Sequence, residues 1–132
     1  MNKAFWQTQY LAAQYQENTA LIVIDNSIEE KISYAQLDVL VSQAKKELSC
    51  ALPTSEKHLL MLVARHTIKS LVYYLAALQL KQVVWWIDKA LDAQKQQTLC
   101  AHYKVNLLID EGELTRLSGF EHKMHADLAL LI

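Results

Sequence analysis

The sequence predicts an α/β fold: a mostly parallel sheet flanked by helices on both faces, with an N-terminal β-hairpin. Four short apolar runs of strand length lack polar alternation, at residues 59–64, 83–87, 106–109 and 128–132. Such runs are typical of strands that are covered on both faces. Helical stretches separate most of them, and this alternation favours right-handed crossovers between parallel strands.

The N-terminal quarter has a different pattern. Residues 3–16 place aromatic and apolar side chains at mostly three-to-four spacing, which predicts an amphipathic helix whose aromatic stripe packs in the core. Residues 20–24 form a β-rich run, 25–27 suit a turn, and 28–33 alternate between polar and apolar. These segments predict a hairpin, so we expect the sheet to carry an antiparallel element at one margin.

The first long helix has clear start and stop signals. Ser33 and Gln36 have the spacing of a capping box, in which each side chain bonds a backbone N–H at the helix start. Apolar residues then recur with a helical period. The helix is expected to end before Pro53, because proline disfavours the helical conformation of the residue that precedes it.

Two further helices follow. Thr67 is positioned to cap a helix over residues 68–80 that is apolar nearly all round and is therefore expected to be enclosed. Asp92 is positioned to begin the next helix, and residues 111–127 are expected to form a polar loop or ragged helix. The side chains expected to face inward from the helix after Asp92 are Ala93, Leu99, Cys100 and Tyr103.

Composition narrows the class of protein. The 132 residues suit one domain, and a hydrophobic content of 52% supplies a core. The net charge is −1 without a basic stripe, which argues against nucleic-acid binding. No apolar run approaches the roughly 18 residues of a membrane span, and no secretory signal begins the chain. Cys50 and Cys100 have no metal-like spacing. We expect a cytoplasmic protein with reduced thiols.

Several segments, in order and spacing, carry a resemblance to a known family. They are Ala20–Ile22, Ile32–Leu37 (similar to a T-Y-x-E-L helix start), Leu60–Thr67, Leu71–Val84, Ile87–Leu91 and Leu107–Asp110. From about Phe5 to Ile132 the chain resembles the N-terminal segment of AMP-forming adenylating enzymes, which include acyl- and aryl-CoA ligases, luciferases and peptide-synthetase adenylation domains. It departs from them at Lys81-Gln82, where members usually have Gly-Ala, and at Trp86 and Lys89, where they usually have prolines.

The resemblance implies a function for an intact enzyme. ATP and Mg²⁺ would serve to activate a carboxylate as an acyl-adenylate, which is then transferred to coenzyme A or to a carrier thiol. In the family, a Ser/Thr/Gly-rich phosphate-binding loop follows the strand that matches residues 128–132. Residues 1–132 are therefore expected to be a single subdomain that stops before this loop, binds no cofactor by itself, has no turnover, and has the remainder of the ligase chain as its partner.

Few residues are candidates for a site, and none is predicted to be catalytic. Arg65 and His66 follow a central strand, where α/β sheets bind ligands, although a surface turn ahead of a helix cap is the simpler explanation. Arg116 lies in a region that supplies arginines for the coenzyme A phosphates in some members, but its register does not match cleanly, so solvated charge is the simpler explanation. His122 and His125 lack further ligands that would complete a metal site.

A second reading is a self-contained, non-catalytic α/β module that binds a partner or a small ligand. If the chain is a truncated subdomain, the last strand and the apolar helix over residues 68–80 would lack neighbours, and the unpaired strand edge and exposed apolar surface would favour self-association.

Overall fold

The structure, a computed structural model, describes residues 13, 15, 17–25, 28–52, 57–65, 67–117, 130 and 131. The helix expected over residues 3–16 lies almost wholly outside these residues, as do Pro53, His66, His122 and His125. Within the described residues, no helix is long and apolar enough to cross a membrane.

Three helices and seven strands are described. The helices are α1 (Tyr34–Ala51), α2 (Ile68–Gln79) and α3 (Ala93–Tyr103). The strands are β1 (Thr19–Asp25), β2 (Ile28–Ser33), β3 (Leu59–Ala64), β4 (Val83–Asp88), β5 (Leu107–Asp110), β6 (Glu113–Arg116) and β7 (Leu130–Leu131). The predicted caps are confirmed, because Ser33 and Gln36 form a reciprocal capping box on α1, Thr67 caps α2 and Asp92 caps α3.

The main sheet has the strand order β6-β5-β3-β4-β7. Strands β5, β3, β4 and β7 are parallel, whereas β6 pairs with β5 in the antiparallel sense. The predicted fold class is confirmed. The predicted source of the antiparallel margin is wrong, because β1 and β2 form a separate two-stranded sheet and β6 supplies the margin instead.

The hairpin of β1 and β2 lies against α1. Leu21 pairs with Ile32, and these side chains pack into the same core as the inner face of α1. Because side chains alternate across a strand, Ile22 and Ile24 lie on the other face, where they are 55% and 71% exposed. One face of this small sheet is thus buried by the helix.

The two faces of the main sheet bury separate cores, which confirms that helices cover both faces. Alternate residues of the strands, such as Leu60 and Leu62, pack against α1 and α2. The intervening residues, such as Met61 and Val63, pack with Cys100 of α3. Strand β3 is therefore enclosed on both sides, as its unbroken apolar run predicts.

Strand β6 corrects the prediction of a loop or ragged helix across residues 111–127. Glu113–Arg116 pairs with β5 through a two-residue connection, Glu111-Gly112, in which both residues have positive φ, 53° and 86°. This is the backbone of a type I′ hairpin turn, whose twist matches that of the flanking strands. Glycine at the second position is the local signal, and glutamate in place of Asn or Asp at the first made it hard to recognise.

Helix α3 packs less deeply than its sequence suggests. Cys100 is buried and Leu99 half-buried, but the inward orientation predicted for Ala93 and Tyr103 is wrong. Tyr103 is 53% exposed because it lies at the rim, where its ring meets the edge of Trp85 with 5.2 Å between ring centroids.

The end of α2 explains one departure from the resembled family. Lys81 has a φ of 58°, and the N–H groups of Lys81 and Gln82 donate to the carbonyls of Leu78 and Ala77, each at 3.0 Å. These are the hydrogen bonds of a Schellman motif, in which glycine is the usual left-handed residue. Lys81 therefore lies at a left-handed position, where the glycine that members of the resembled family usually have would be favoured.

Gln82, the second departure, has a structural role that alanine could not supply. Its side chain is buried, its Oε1 accepts the backbone N–H of His58 at 2.6 Å, and its Nε2 donates to the Leu80 carbonyl at 3.0 Å. The amide thus fixes the start of β3 to the end of α2.

We expect Lys81→Gly to raise the free energy of unfolding by about 0.5–1 kcal/mol. A left-handed conformation costs an L-residue about 1–2 kcal/mol, and part of the gain is lost because glycine frees the unfolded chain. Urea unfolding measures the change. Lys46→Gly, at an exposed position inside α1, is the matched control and should destabilise by about 1 kcal/mol. Equal destabilisation by both variants would contradict the prediction.

Candidate functional site

The carboxyl ends of β3 and β5 bring together three charged residues, of which the sequence predicted only Arg65 as a site residue. Arg65 follows β3 directly, Asp110 ends β5, and Glu111 begins the turn to β6. Because the two strands are parallel neighbours, their carboxyl ends lie at the same edge of the sheet. This edge is where a ligand site of an α/β sheet is expected.

Arg65 and Asp110 form a bidentate pair across this edge. Arg65 Nε donates to Asp110 Oδ1 at 2.6 Å, and Nη2 donates to Oδ2 at 3.2 Å. Glu111 Oε1 lies 3.9 Å from Arg65 Nε. The hydrogen bond and charge of Asp110 raise the pKa of Arg65 above its usual range. The guanidinium is thus held by protein carboxylates in a fork geometry that Arg favours.

Thr67 connects the same edge to the start of α2. Its Oγ1 accepts the backbone N–H of Ser70 at 3.2 Å and donates to Glu111 Oε1 at 2.9 Å. The Glu111 carboxylate therefore lies at a helix N-terminus, where backbone N–H groups and the helix dipole favour negative charge. A phosphate at this position would have to displace it.

The predicted site residues do not converge. Arg116 is exposed and pairs with Leu107, the first residue of β5, whereas Arg65 bonds Asp110, the last. The two arginines therefore lie at opposite ends of β5. His66 lies outside the described residues. A nucleotide contact by Arg65, His66 or Arg116 stays a prediction.

The described residues do not fit an ATP or Mg²⁺ site. Arg65 is held by Asp110, and the start of α2 faces the Glu111 carboxylate. In the part of the chain that the structure describes, no group of three His, Cys, Asp or Glu side chains could hold a metal ion. We therefore derive no chemical step from these residues.

Cys100 and the tandem tryptophans have structural neighbours, whereas Cys50 is an exposed free thiol. Cys100 lies 3.5 Å from Met61 Sδ, and burial raises the pKa of its thiol, which opposes thiolate formation. Trp86 packs against Tyr74 with ring centroids 5.0 Å apart. Trp85 packs on the other face of the sheet, so the tandem tryptophans serve both cores.

A groove of about 510 Å³ lies between α1, α2 and the β5–β6 turn, and sequence reasoning missed it. At one wall the Tyr73 hydroxyl donates to Glu47 Oε2, which links α2 to α1. Burial, with a further contribution from Glu47, raises the pKa of Tyr73 to about 12. Helical spacing could have predicted which residues of each helix share a face. It could not have predicted that the two helices lie side by side, because that depends on the tertiary fold.

Comparison with known proteins identifies the fold. No family model matches the chain, and no curated protein sequence matches it significantly. Many solved structures do match it. The N-terminal subdomain of NpsA from Klebsiella oxytoca aligns over 98% of this chain with a TM-score of 0.66 and 14% identity. A fatty acid AMP ligase from Legionella pneumophila aligns over 76% with a TM-score of 0.64 and 17% identity.

A Mycobacterium tuberculosis fatty acyl CoA synthetase gives a similar result, with a TM-score of 0.62 over 78% of the chain at 16% identity. The fold is therefore that of the N-terminal part of adenylate-forming ligases, as the resemblance predicts. The chain spans 18% of the Legionella ligase, 31% of the Klebsiella subdomain and 20% of the mycobacterial synthetase, so it corresponds to less than a third of each.

We expect Thr67→Ala to lower the free energy of unfolding by about 1–2 kcal/mol, because it removes both the helix cap and the bond to Glu111. Thr67→Ser should retain most of the stability, since the hydroxyl is kept. Thr98→Ala, at an exposed site in α3, should stay within about 0.5 kcal/mol of the parent. Thermal and urea unfolding measure all three. Equal losses for Thr67→Ala and Thr67→Ser would assign the effect to the methyl group instead.

The Tyr73 hydroxyl should make stability depend on pH in the alkaline range. Its pKa is raised on folding, from about 10 in the unfolded chain to about 12. The resulting stabilisation is therefore fully present below pH 10 and is lost as the pH rises towards 12. The difference in unfolding free energy between the parent and Tyr73→Phe should be constant from pH 7 to 9. It should then fall by about 1 kcal/mol by pH 11. A difference that does not change over this range would show that Tyr73 ionises normally.

Proposed function

We propose that this chain is part of the N-terminal subdomain of an AMP-forming acid–thiol ligase. The observation that carries the proposal is the backbone similarity to the N-terminal subdomain of NpsA, which extends over 98% of the chain. Two ligases of fatty acids share the same fold over three-quarters of it. The order of sequence segments from Ala20 to Asp110 supports the same family independently of the coordinates.

The proposed reaction of the intact enzyme has two halves. A carboxylate attacks the α-phosphate of ATP, with Mg²⁺ bound, to give an acyl-adenylate and pyrophosphate. A thiol, from coenzyme A or from a carrier protein, then displaces AMP. The proposed setting is the cytoplasm, and the proposed partner of this chain is the rest of the ligase polypeptide.

The contribution proposed for residues 1–132 is structural. Strand β3 and its neighbours form a rigid layer, and the charged groups at its carboxyl edge bond to one another. Transfer at a phosphate depends on positioned cations and hydrogen-bond donors. The carboxylates at this edge offset Arg65, so we place the groups that contact ATP outside the described residues.

Self-association through apolar surface stays a prediction. The exposed aliphatic side chains of the hairpin and of α1 that are available for it are Ile22, Ile24 and Val39.

The proposal is tested by activity and by the coding DNA. Residues 1–132 alone should give no acid-dependent ATP–pyrophosphate exchange with a panel of fatty and aromatic acids. A polypeptide extended by the codons that follow Ile132 should include a Ser/Thr/Gly-rich loop ending in Lys. Exchange by residues 1–132 alone would contradict the scaffold role. A stop codon directly after Ile132 would favour a self-contained binding module.

A further inference from the structure

The groove between α1, α2 and the β5–β6 turn has the form of a docking site. Its volume of about 510 Å³ lies within the usual range for ligand pockets, roughly 300–1,000 Å³. Aliphatic side chains form part of its lining, and charged side chains from both helices and the turn form the rest. The aliphatic lining residues are Leu40, Ala44, Ile68 and Val72. Leu40 and Ile68 are half-buried and form the accessible part, whereas Ala44 and Val72 are 3% and 5% exposed and form the floor.

The charged lining is mainly acidic. Three glutamates, Glu47, Glu111 and Glu113, face a single lysine, Lys69. Glu47 accepts a hydrogen bond from Tyr73, and Glu111 accepts one from Thr67. Glu111 Oε1 also lies 3.9 Å from Arg65 Nε, but Arg65 is already paired with Asp110, so this contact does not cancel the negative charge of the groove. Among the described residues, Glu113 makes no ion pair. The groove therefore combines apolar surface with an excess of negative charge.

The turn that forms one wall is held in a defined position. Gly112 has a φ of 86°, and a Cβ added there would lie 3.5 Å from the Tyr73 ring and 3.7 Å from Lys69 Cδ. The turn thus packs directly against α2. Since Tyr73 also bonds Glu47 of α1, the three walls are joined by contacts within the protein. A preformed site loses less entropy when it binds.

From this arrangement we propose that the groove docks a polypeptide segment in which an aliphatic side chain is flanked by Lys or Arg. The aliphatic side chain would cover Leu40 and Ile68, which are half-buried, and the basic groups would pair with Glu111 and Glu113. Charge complementarity selects this occupant, because an acidic segment would meet three carboxylates and a purely polar one would leave the apolar lining wet. This inference is independent of the ligase assignment.

The probe is the peptide acetyl-Lys-Leu-Leu-Lys-amide, titrated into ¹⁵N-labelled protein and followed by two-dimensional NMR. We expect shift changes centred on Leu40, Ile68 and Gly112, with affinity that falls as salt is added. The control peptides are acetyl-Glu-Leu-Leu-Glu-amide, which reverses the charge, and acetyl-Lys-Ser-Ser-Lys-amide, which removes the apolar part. Both should bind at least fivefold more weakly.

Paired variants separate the groove from general electrostatics. Glu111→Gln with Glu113→Gln should weaken binding of the probe about tenfold, because each exposed ion pair contributes up to about fivefold. In the Glu111→Gln side chain the amide oxygen can still accept from Thr67, so the fold is kept. Glu17→Gln with Glu30→Gln removes the same charge at exposed positions away from the groove and should change affinity less than twofold.

Three results would overturn the proposal. One is equal weakening by both double variants, which would show attraction to net charge alone. Another is equal binding of all three peptides. The third is shift changes that fall on the β1–β2 hairpin or elsewhere, or no shift changes at all, with a spectrum that confirms folded protein.

Discussion

Burial of β3 on both faces is the constraint on which the rest of this structure depends. Residues Leu59–Val63 are all at most 3% exposed, although they belong to a strand of only six residues. Burying a single Leu, Val or Met side chain contributes about 1.5–3 kcal/mol. That gain requires a layer of helix on each side, which α1 and α2 supply on one face and α3 on the other. The positions of β4 and β5 follow, because both pair with β3.

A strand enclosed in this way has polar backbone groups at its amino end that water cannot reach. At the start of β3, the His58 N–H bonds the Gln82 side chain, and the Leu59 N–H bonds Asn106 Oδ1 at 3.1 Å. The Asn106 N–H returns a bond to the Leu59 carbonyl at 2.8 Å. Side chains from the starts of the two neighbouring strands thus satisfy groups that would be costly to bury unpaired. This explains why Gln82 stands where alanine is usual in the resembled family.

Local patterns in the sequence were sufficient for the elements, but not for their assembly. The apolar run of β3 and the caps Ser33 and Thr67 act within a few residues, so the sequence predicts them directly. The separation of the hairpin from the main sheet depends on how α1 lies between them, and no local pattern encodes that. The candidate site was likewise only partly predictable. Arg65 was identified because it follows a strand end, but its partner Asp110 lies 45 residues further along the chain. Which groups compensate a charge depends on strand order and on the turn that follows.

Charge compensation at the carboxyl edge is consistent with the scaffold role that we propose. Arg65, Asp110 and Glu111 together carry one positive and two negative charges at neutral pH, within 3.9 Å of the Arg65 Nε. An approaching phosphate would meet this local excess of negative charge, and at the start of α2 it would meet the Glu111 carboxylate. The same groups stabilise the edge by bonding two strands, a turn and a helix to one another. An edge whose charged groups already bond one another suits a layer that supports a nucleotide site formed by other residues.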